Sequence, residues 1–155
     1  MSVVLIFLNE ERFIEEAIQS VVDQSLTDWE LILVDDGSSD RSTQIAKVFV
    51  ARDQRIRYLD HPGHQNHGMA ASRNFGVAHS TGRYLTFLDG DDVWVPTKLA
   101  EQVDLLERIP DVAMVNGAIR LWHSWDPSAV KDDSVVLTGE CADVRLEPPE
   151  AALRT

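Results

Sequence analysis

Val3-Val4-Leu5-Ile6-Phe7-Leu8 opens the chain as an unbroken apolar run. Such a run reads as a strand buried on both faces. After Asn9-Glu10-Glu11, apolar residues return at helical spacing as Ile14, Ala17, Ile18, Val21 and Val22, with Glu15, Glu16 and Gln19 between them. Glu10 and Glu11 suit the first turn of that helix, where the dipole favours anions. Trp29 to Val34 is a second buried run, followed by the turn Asp35-Asp36-Gly37-Ser38-Ser39-Asp40 with several possible N-caps. A helix is expected from about Ser42 to Ala51, with Ile45, Val48 and Phe49 inward.

Ile56 to Leu59 reads as a short third strand, His61 to Met69 as a polar loop and Met69 to His79 as a helix. Tyr84 to Leu88 is a further apolar run and reads as a fourth, buried strand. Pro96 fits the first turn of a helix reaching about Arg108, with Leu99, Val103, Leu105 and Leu106 available to the core. Val112 to Val115 and Ile119 to Trp122 are expected as further strands, and Val135-Val136-Leu137 as one more. The regular pattern decays after Ser124, so residues 1–125 read as one domain and 126–155 as an irregular C-terminal segment. Alternating strands and helices of this kind predict an α/β sandwich with a largely parallel sheet.

In such sheets ligands bind beyond the carboxyl ends of the strands. Three polar turns fall there: Asn9-Glu10-Glu11, Asp35-Asp36-Gly37-Ser38 and Asp89-Gly90-Asp91-Asp92. The last is the most informative. Three carboxylates with one glycine among them repel, at about 3 kcal/mol per pair for ~5 Å and an effective dielectric of ~20. A hard divalent cation would offset that and keep places for phosphates; the other reading is an acidic, solvated turn. An EF-hand does not fit, because its sixth and twelfth positions would be Trp94 and Ala100. Asp35 and Asp36 could accept hydrogen bonds from a ribose hydroxyl or a base N–H, or belong to a helix N-cap cluster. Arg73 and Asn74, early in their helix, could meet phosphate oxygens or a base edge, or Arg73 could pair with an acid. His61, His64 and His67 sit in a glycine- and proline-bearing loop whose spacing fixes no zinc geometry. Trp94, Trp122 and Trp125 read as packing residues before sugar platforms.

Composition narrows the classes. The 155 residues are 44% hydrophobic and 26% charged, ordinary for a globular domain. The net charge of −12 argues against nucleic acid and anionic membrane as main partners, while a bound metal or a local arginine still permits a phosphorylated ligand. Cys141 stands alone, so no internal disulfide forms, and the opening apolar run is too short for a signal peptide. A cytoplasmic location is the expectation. No G-x-G-x-x-G follows the first strand, and neither a P-loop nor G-x-S-x-G occurs.

Taken in order, Val3–Glu11, Ala17–Gln24, Trp29–Asp40, Gly68–Gly76 and Gly82–Leu99 resemble the motifs of a family 2 glycosyltransferase with the GT-A nucleotide-sugar-binding fold. The resemblance covers roughly the first 120 residues. It implies an inverting transfer of sugar from a nucleotide-diphosphate donor, UDP-sugar by default, to a hydroxyl acceptor, with Mn²⁺ or Mg²⁺ as cofactor. It implies that Asp36 binds the base, with Asn9 and Glu11 nearby. Asp35 would be near the nucleotide or hold the turn, and Arg73 and Asn74 would line the donor pocket. Asp89 and Asp91 match the family's Asp-x-Asp: Asp91 would bind the metal, Asp89 the ribose or a metal-bound water, and Asp92 would support them. The family's acceptor half and its general base have no counterpart here, Asp132, Asp133, Asp143 and Glu147 included. The chain therefore reads as the donor-binding part of an enzyme, its last segment the start of an acceptor half, with self-association through exposed surface. The alternatives are a non-catalytic nucleotide-sugar-binding module and, less favoured, a sugar nucleotidyltransferase.

Overall fold

The structure is a computed structural model and describes residues 1–126 and 128–136. The chain divides into two compact units, the first being Met1–Val103 and the second the residues after it.

In the first unit, strands β1 (Ser2–Phe7), β2 (Glu30–Asp35), β3 (Ile56–Asp60) and β4 (Leu85–Asp89) form one parallel sheet in the order β3-β2-β1-β4. Helices α1 (Ile14–Val22), α2 (Ser42–Arg52) and α3 (Met69–Ala78) connect them, and α4 (Lys98–Arg108) follows β4. Alternation along β1 and β2 feeds two cores. Val3, Leu5, Phe7, Leu31 and Leu33 pack with Ile14, Ile18 and Val21 of α1, Ala46 and Phe49 of α2, and Leu99. Val4, Ile6, Ile32 and Val34 form the opposite face, with Phe75 of α3 and Leu59 against it. The helices thus cover both faces, as the continuous apolar runs predict.

Several expectations are corrected. Helix α1 begins at Ile14, so its first-turn acids are Glu15 and Glu16. Glu10 instead lends its backbone carbonyl to the amides of Phe13 and Ile14, and the chain turns before the helix starts. Val48 is exposed, because α2 presents Ser42, Ala46 and Phe49 inward. The N-cap of α2 is Arg41 and the helix has no side-chain cap; Asp40, one residue earlier, takes both the amide and the hydroxyl of Ser42 at 2.9 and 2.6 Å. Strand β4 is not covered on both faces: Leu85 and Phe87 are exposed, since β4 ends the strand order. Of the apolar residues of α4, only Leu99 is buried. Val112 to Val115 forms no strand.

The second unit carries the antiparallel pair β5 (Ile119–Leu121) and β6 (Ser134–Val136). Leu137, and the carboxylates Asp143 and Glu147, lie outside the described residues. Asp133 accepts from the amides of His123 and Ser124, the Ser124 hydroxyl and Arg120. These bonds, the Ser124 amide foremost, hold its carboxyl down at about 2. Asp133 is thereby committed to its own turn. Among the described residues no helix is long and apolar enough to cross a membrane.

Candidate active site

Parallel register brings the strand ends to one edge. Phe7 lies opposite Asp35, Asp35 opposite Asp60, and Ile6 opposite Asp89. The turns that follow are then laced together. Asn9 sits in the left-handed region at φ 58°, a conformation asparagine tolerates. Its amide donates to Ser38 Oγ at 3.1 Å, and its side-chain oxygen accepts the Ser39 amide at 2.8 Å. The Glu11 amide donates to Asp40 at 3.0 Å, and the Glu11 carboxylate takes the amide and Nε of Arg41, each at 3.2 Å. Asn9 and Glu11 therefore fix the first turn against the second.

Asp35 is wholly buried. It accepts from the Ser38 amide (2.8 Å), the Thr43 hydroxyl (2.5 Å) and the Tyr58 hydroxyl (2.9 Å). These bonds tie Asp35 to its own turn, to α2 and to β3. Burial and the Asp35 charge push Tyr58 well above the ordinary phenol value, so it stays a donor. Asp36, 5% exposed, serves the other side. Its Oδ1 accepts the His67 amide (2.8 Å) and the Ser72 hydroxyl (2.9 Å), and its Oδ2 accepts the Gly68 amide (3.0 Å). A carboxylate has about four acceptor positions, so one on Oδ2 is left.

The three histidines do three different things. His61 is buried with Nε2 2.8 Å from Ser72 Oγ. His64 bridges Asp60 (2.9 Å) and the Ser38 carbonyl (2.7 Å). His67 is exposed, its ring against that of His61 at 4.4 Å. Among the described residues no group of three or more His, Cys, Asp or Glu is gathered as a metal site.

At the β4 end, one Arg73 nitrogen, Nη2, spans both oxygens of Asp89 at 2.7 and 3.0 Å. Asn74 is exposed on the same helix. Asp91 and Asp92 are exposed, and Asp89 half-buried. Gly90 lets this turn pass close to the first strand: an added Cβ would stand 2.8 Å from Phe7 Cβ and 3.2 Å from Glu10 Cγ. Glu10 is thereby beside the acidic turn. Its carboxyl is raised by partial burial, then by Asp91 and Asp40. The Asp92 carboxyl is raised by partial desolvation, then by Asp91 and Asp89. Arg73, paired with Asp89, offsets part of the negative charge at this corner. An oxygen-only corner with an exposed carboxylate fits Mn²⁺ or Mg²⁺, which commonly take one or two carboxylates and fill the rest of their shell with water and phosphates. Asp91 would hold such an ion, with Asp89 beside it.

Sequence reasoning missed Ser72, Tyr58 and Thr43 as members of this edge; it placed Glu10 there without seeing that it stands beside the acidic turn. Their signal is spatial: each meets a motif carboxylate from another element, which no local pattern encodes.

Residues 2–133 match the profile of Glycosyl transferase family 2. The chain belongs to this family. Among curated family 2 relatives, the putative glycosyltransferase EpsE of Bacillus subtilis is 40% identical over 109 residues, covering 70% of this chain and 38% of its own. The Escherichia coli enzyme WfgD, a UDP-Glc:α-D-GlcNAc-diphosphoundecaprenol β-1,3-glucosyltransferase, is 35% identical over 106 residues, covering 68% of this chain and 40% of its own. The chain spans well under half the length of either relative. S. aureus TarS 1-349, solved in complex with UDP-GlcNAc, superposes with a TM-score of 0.60 at 25% identity, over 69% of this chain and 31% of that one. The mannosyltransferase PcManGT of Pyrobaculum calidifontis, solved with GDP-Man and Mn²⁺, has a TM-score of 0.63 at 23% identity, over 76% and 34%. These likenesses show the fold: this family 2 chain has the GT-A glycosyltransferase architecture.

Proposed function

We propose that this chain is the donor-binding part of a metal-dependent glycosyltransferase that takes sugar from a nucleotide diphosphate. The observation that carries this is the convergence of three strand-end turns, laced by Asn9, Asp36 and Arg73, on a corner whose charge Glu10, Asp91 and Asp92 leave under-compensated. TarS, solved with UDP-GlcNAc, and PcManGT, solved with GDP-Man and Mn²⁺, lend support.

In this reading the base lies at Asp36, whose remaining acceptor position suits an imino N–H such as that of uracil or guanine. Asn9 and Glu11 shape the wall beside it, and Asp35 holds the turn. Arg73 and Asn74 face the donor, Asp89 the ribose, and Asp91 the ion. The ion, when bound, would screen the charge that the diphosphate gains as it leaves. Arg73 neutralises Asp89, so the two carboxylates of the Asp-x-Asp motif do not compete at full charge. The sugar acceptor is a hydroxyl compound, and a UDP-sugar remains the default donor. Leu85 and Phe87, exposed on β4, support self-association, for which sedimentation of a concentrated sample as a monomer would count as disproof.

The test is calorimetric titration of UDP, GDP and dTDP with Mn²⁺ and again with EDTA, on the wild type and on Asp91→Asn. Metal-dependent binding of one nucleotide, lost in the variant, is expected. Equal binding with EDTA would sink the metal's role. Binding without any turnover, in the presence of hydroxyl acceptors, would favour the non-catalytic binding module.

A further inference from the structure

Ser72 is completely buried in the first turn of α3, at the meeting point of two hydrogen bonds. Its hydroxyl has one proton. Asp36 Oδ1, at 2.9 Å, can only accept, so the proton goes there. His61 Nε2, at 2.8 Å, therefore donates into a lone pair of Ser72 Oγ. Phe75, at 5.0 Å between ring centroids, and His67 flank that imidazole. The set Ser, His and Asp has the composition of a nucleophilic triad with the opposite polarity. A nucleophilic serine gives its proton to histidine, whereas here the proton runs from His61 to Ser72 and from Ser72 to Asp36.

What this polarity secures is the attitude of a helix. Helix α3 has Gly68 at its N-cap and no side-chain cap. Its first turn is fixed from outside, by Asp36, which takes the amides of His67 and Gly68 and the Ser72 hydroxyl. The next residue after Ser72 is Arg73, which holds Asp89. Asp36 follows β2 and Asp89 ends β4, and β1 lies between those strands in the sheet. The first turn of α3 is therefore a bridge between two strand ends that are not neighbours.

We propose that Ser72 is a positioning residue that couples the base end of the site, at Asp36, to its metal end, at Asp89 and Asp91. This rests on the donor-site reading above. A nucleoside that settles on Asp36 orders the first turn of α3, and with it the guanidinium that sets the charge and place of Asp89. An ion at Asp91 then meets a corner whose ordering cost has been met, which gives positive coupling. The coupling is reciprocal.

The experiment uses two ligands that share no atom, uridine and Mn²⁺. Each is titrated alone and in the presence of the other, into the wild type, Ser72→Ala and Ser72→Cys, the last keeping the volume but only a weak donor. In parallel, the Arg73 Nε–H resonance is followed in the ligand-free proteins. That nitrogen is buried without a partner and reports on how the guanidinium sits. In the wild type each ligand should tighten the other about fivefold or more. Both variants should lose that coupling while still binding each ligand alone, and their Arg73 signal should move toward its position in Asp89→Asn. A folded variant of either kind that keeps the coupling, or an Arg73 signal that stays in place, overturns the proposal. If the wild type binds neither uridine nor Mn²⁺, the donor-site reading falls instead, and the Arg73 signal alone decides whether Ser72 positions the arginine.

Discussion

Asp35 and Asp36 are consecutive, yet their carboxylates serve opposite faces of the sheet. Asp35 bonds to Thr43 of α2 and Tyr58 of β3, Asp36 to the loop before α3 and to Ser72. Alternation along the extended chain separates them. Two adjacent acids are tolerated because each is satisfied by its own donors and neither faces the other. The pair is a division of labour: one carboxylate holds the second turn, the other holds the start of α3.

The two should respond differently to the same change. Asp35→Asn places an amide among three donors in a fully buried position, and hydrogen bonds to a charged group are worth about 1.5–3 kcal/mol each. A loss of stability of that order is expected in urea unfolding, with nucleotide affinity changed little once the protein is folded. Asp36→Asn should lower nucleotide affinity at least tenfold at a smaller stability cost, because one amide oxygen remains for the backbone donors. Equal losses of affinity in the two variants would refute the division.

Gln24 ties the acidic turn to the rest of the domain. It is 5% exposed, donates to the carbonyls of Ser20 (3.0 Å) and Val95 (2.8 Å), and accepts the Leu99 amide (2.9 Å). One side chain thus joins the end of α1, the segment after Asp92 and an otherwise open amide in the first turn of α4. Gln24→Ala leaves those backbone groups unpaired, at about 1–3 kcal/mol. Thermal melting should show the loss, and Mn²⁺ affinity should fall because the segment carrying Asp91 loses its tether. An undiminished melting temperature would count against it.

The pattern of apolar runs and amphipathic repeats is enough for the order of strands and helices in the first 108 residues, because the central strands β1 and β2 are buried between the helix layers and so keep unbroken apolar runs. It is not enough for Phe87, exposed on a strand that reads as buried, since edge position is a property of topology and not of local sequence. Val112 to Val115 is apolar and β-compatible but finds no partner strand. At the site, Asp89, Asp91, Asp36 and Arg73 are visible as motif residues. Ser72 is not, nor is the nearness of Glu10 to Asp91, because both come from the register that sets β1, β2 and β4 side by side.

His64 makes the loop over the second turn sensitive to pH. Both its ring nitrogens face acceptors, Asp60 Oδ2 and the Ser38 carbonyl, so both donate and the ring is an imidazolium in this arrangement. Its pKa is raised, by the Ser38 carbonyl first and by Asp60 next, with Asp35 adding to the field. A raised folded value means a contribution that is complete below the ordinary ~6.5 and lost as pH rises through the folded value. Proton NMR should give a His64 midpoint above ~6.5, with the Ser38 and His67 amides shifting at the same midpoint. Asp60→Asn should bring that midpoint down. A midpoint at or below the ordinary value would show that the clamp is not charged.

Gly76 sets how closely α3 can lie on the sheet. A Cβ there would stand 2.4 Å from Val4 Cγ1 and 3.2 Å from Val34 Cγ2, both in the buried face of β1 and β2. Neither valine can yield, since both are fully buried among Ile6 and Ile32. Gly76→Ala must therefore lift the helix, and overpacking of this kind costs about 1–3 kcal/mol. The lift acts on function through geometry, because the same helix carries Ser72 and Arg73 about one turn earlier. Mn²⁺-dependent nucleotide affinity should drop together with stability, and Val4→Ala combined with Gly76→Ala should restore part of both by making room. If the double variant regains stability but not affinity, the seat of α3 on the sheet does not govern the reach of Arg73 to Asp89.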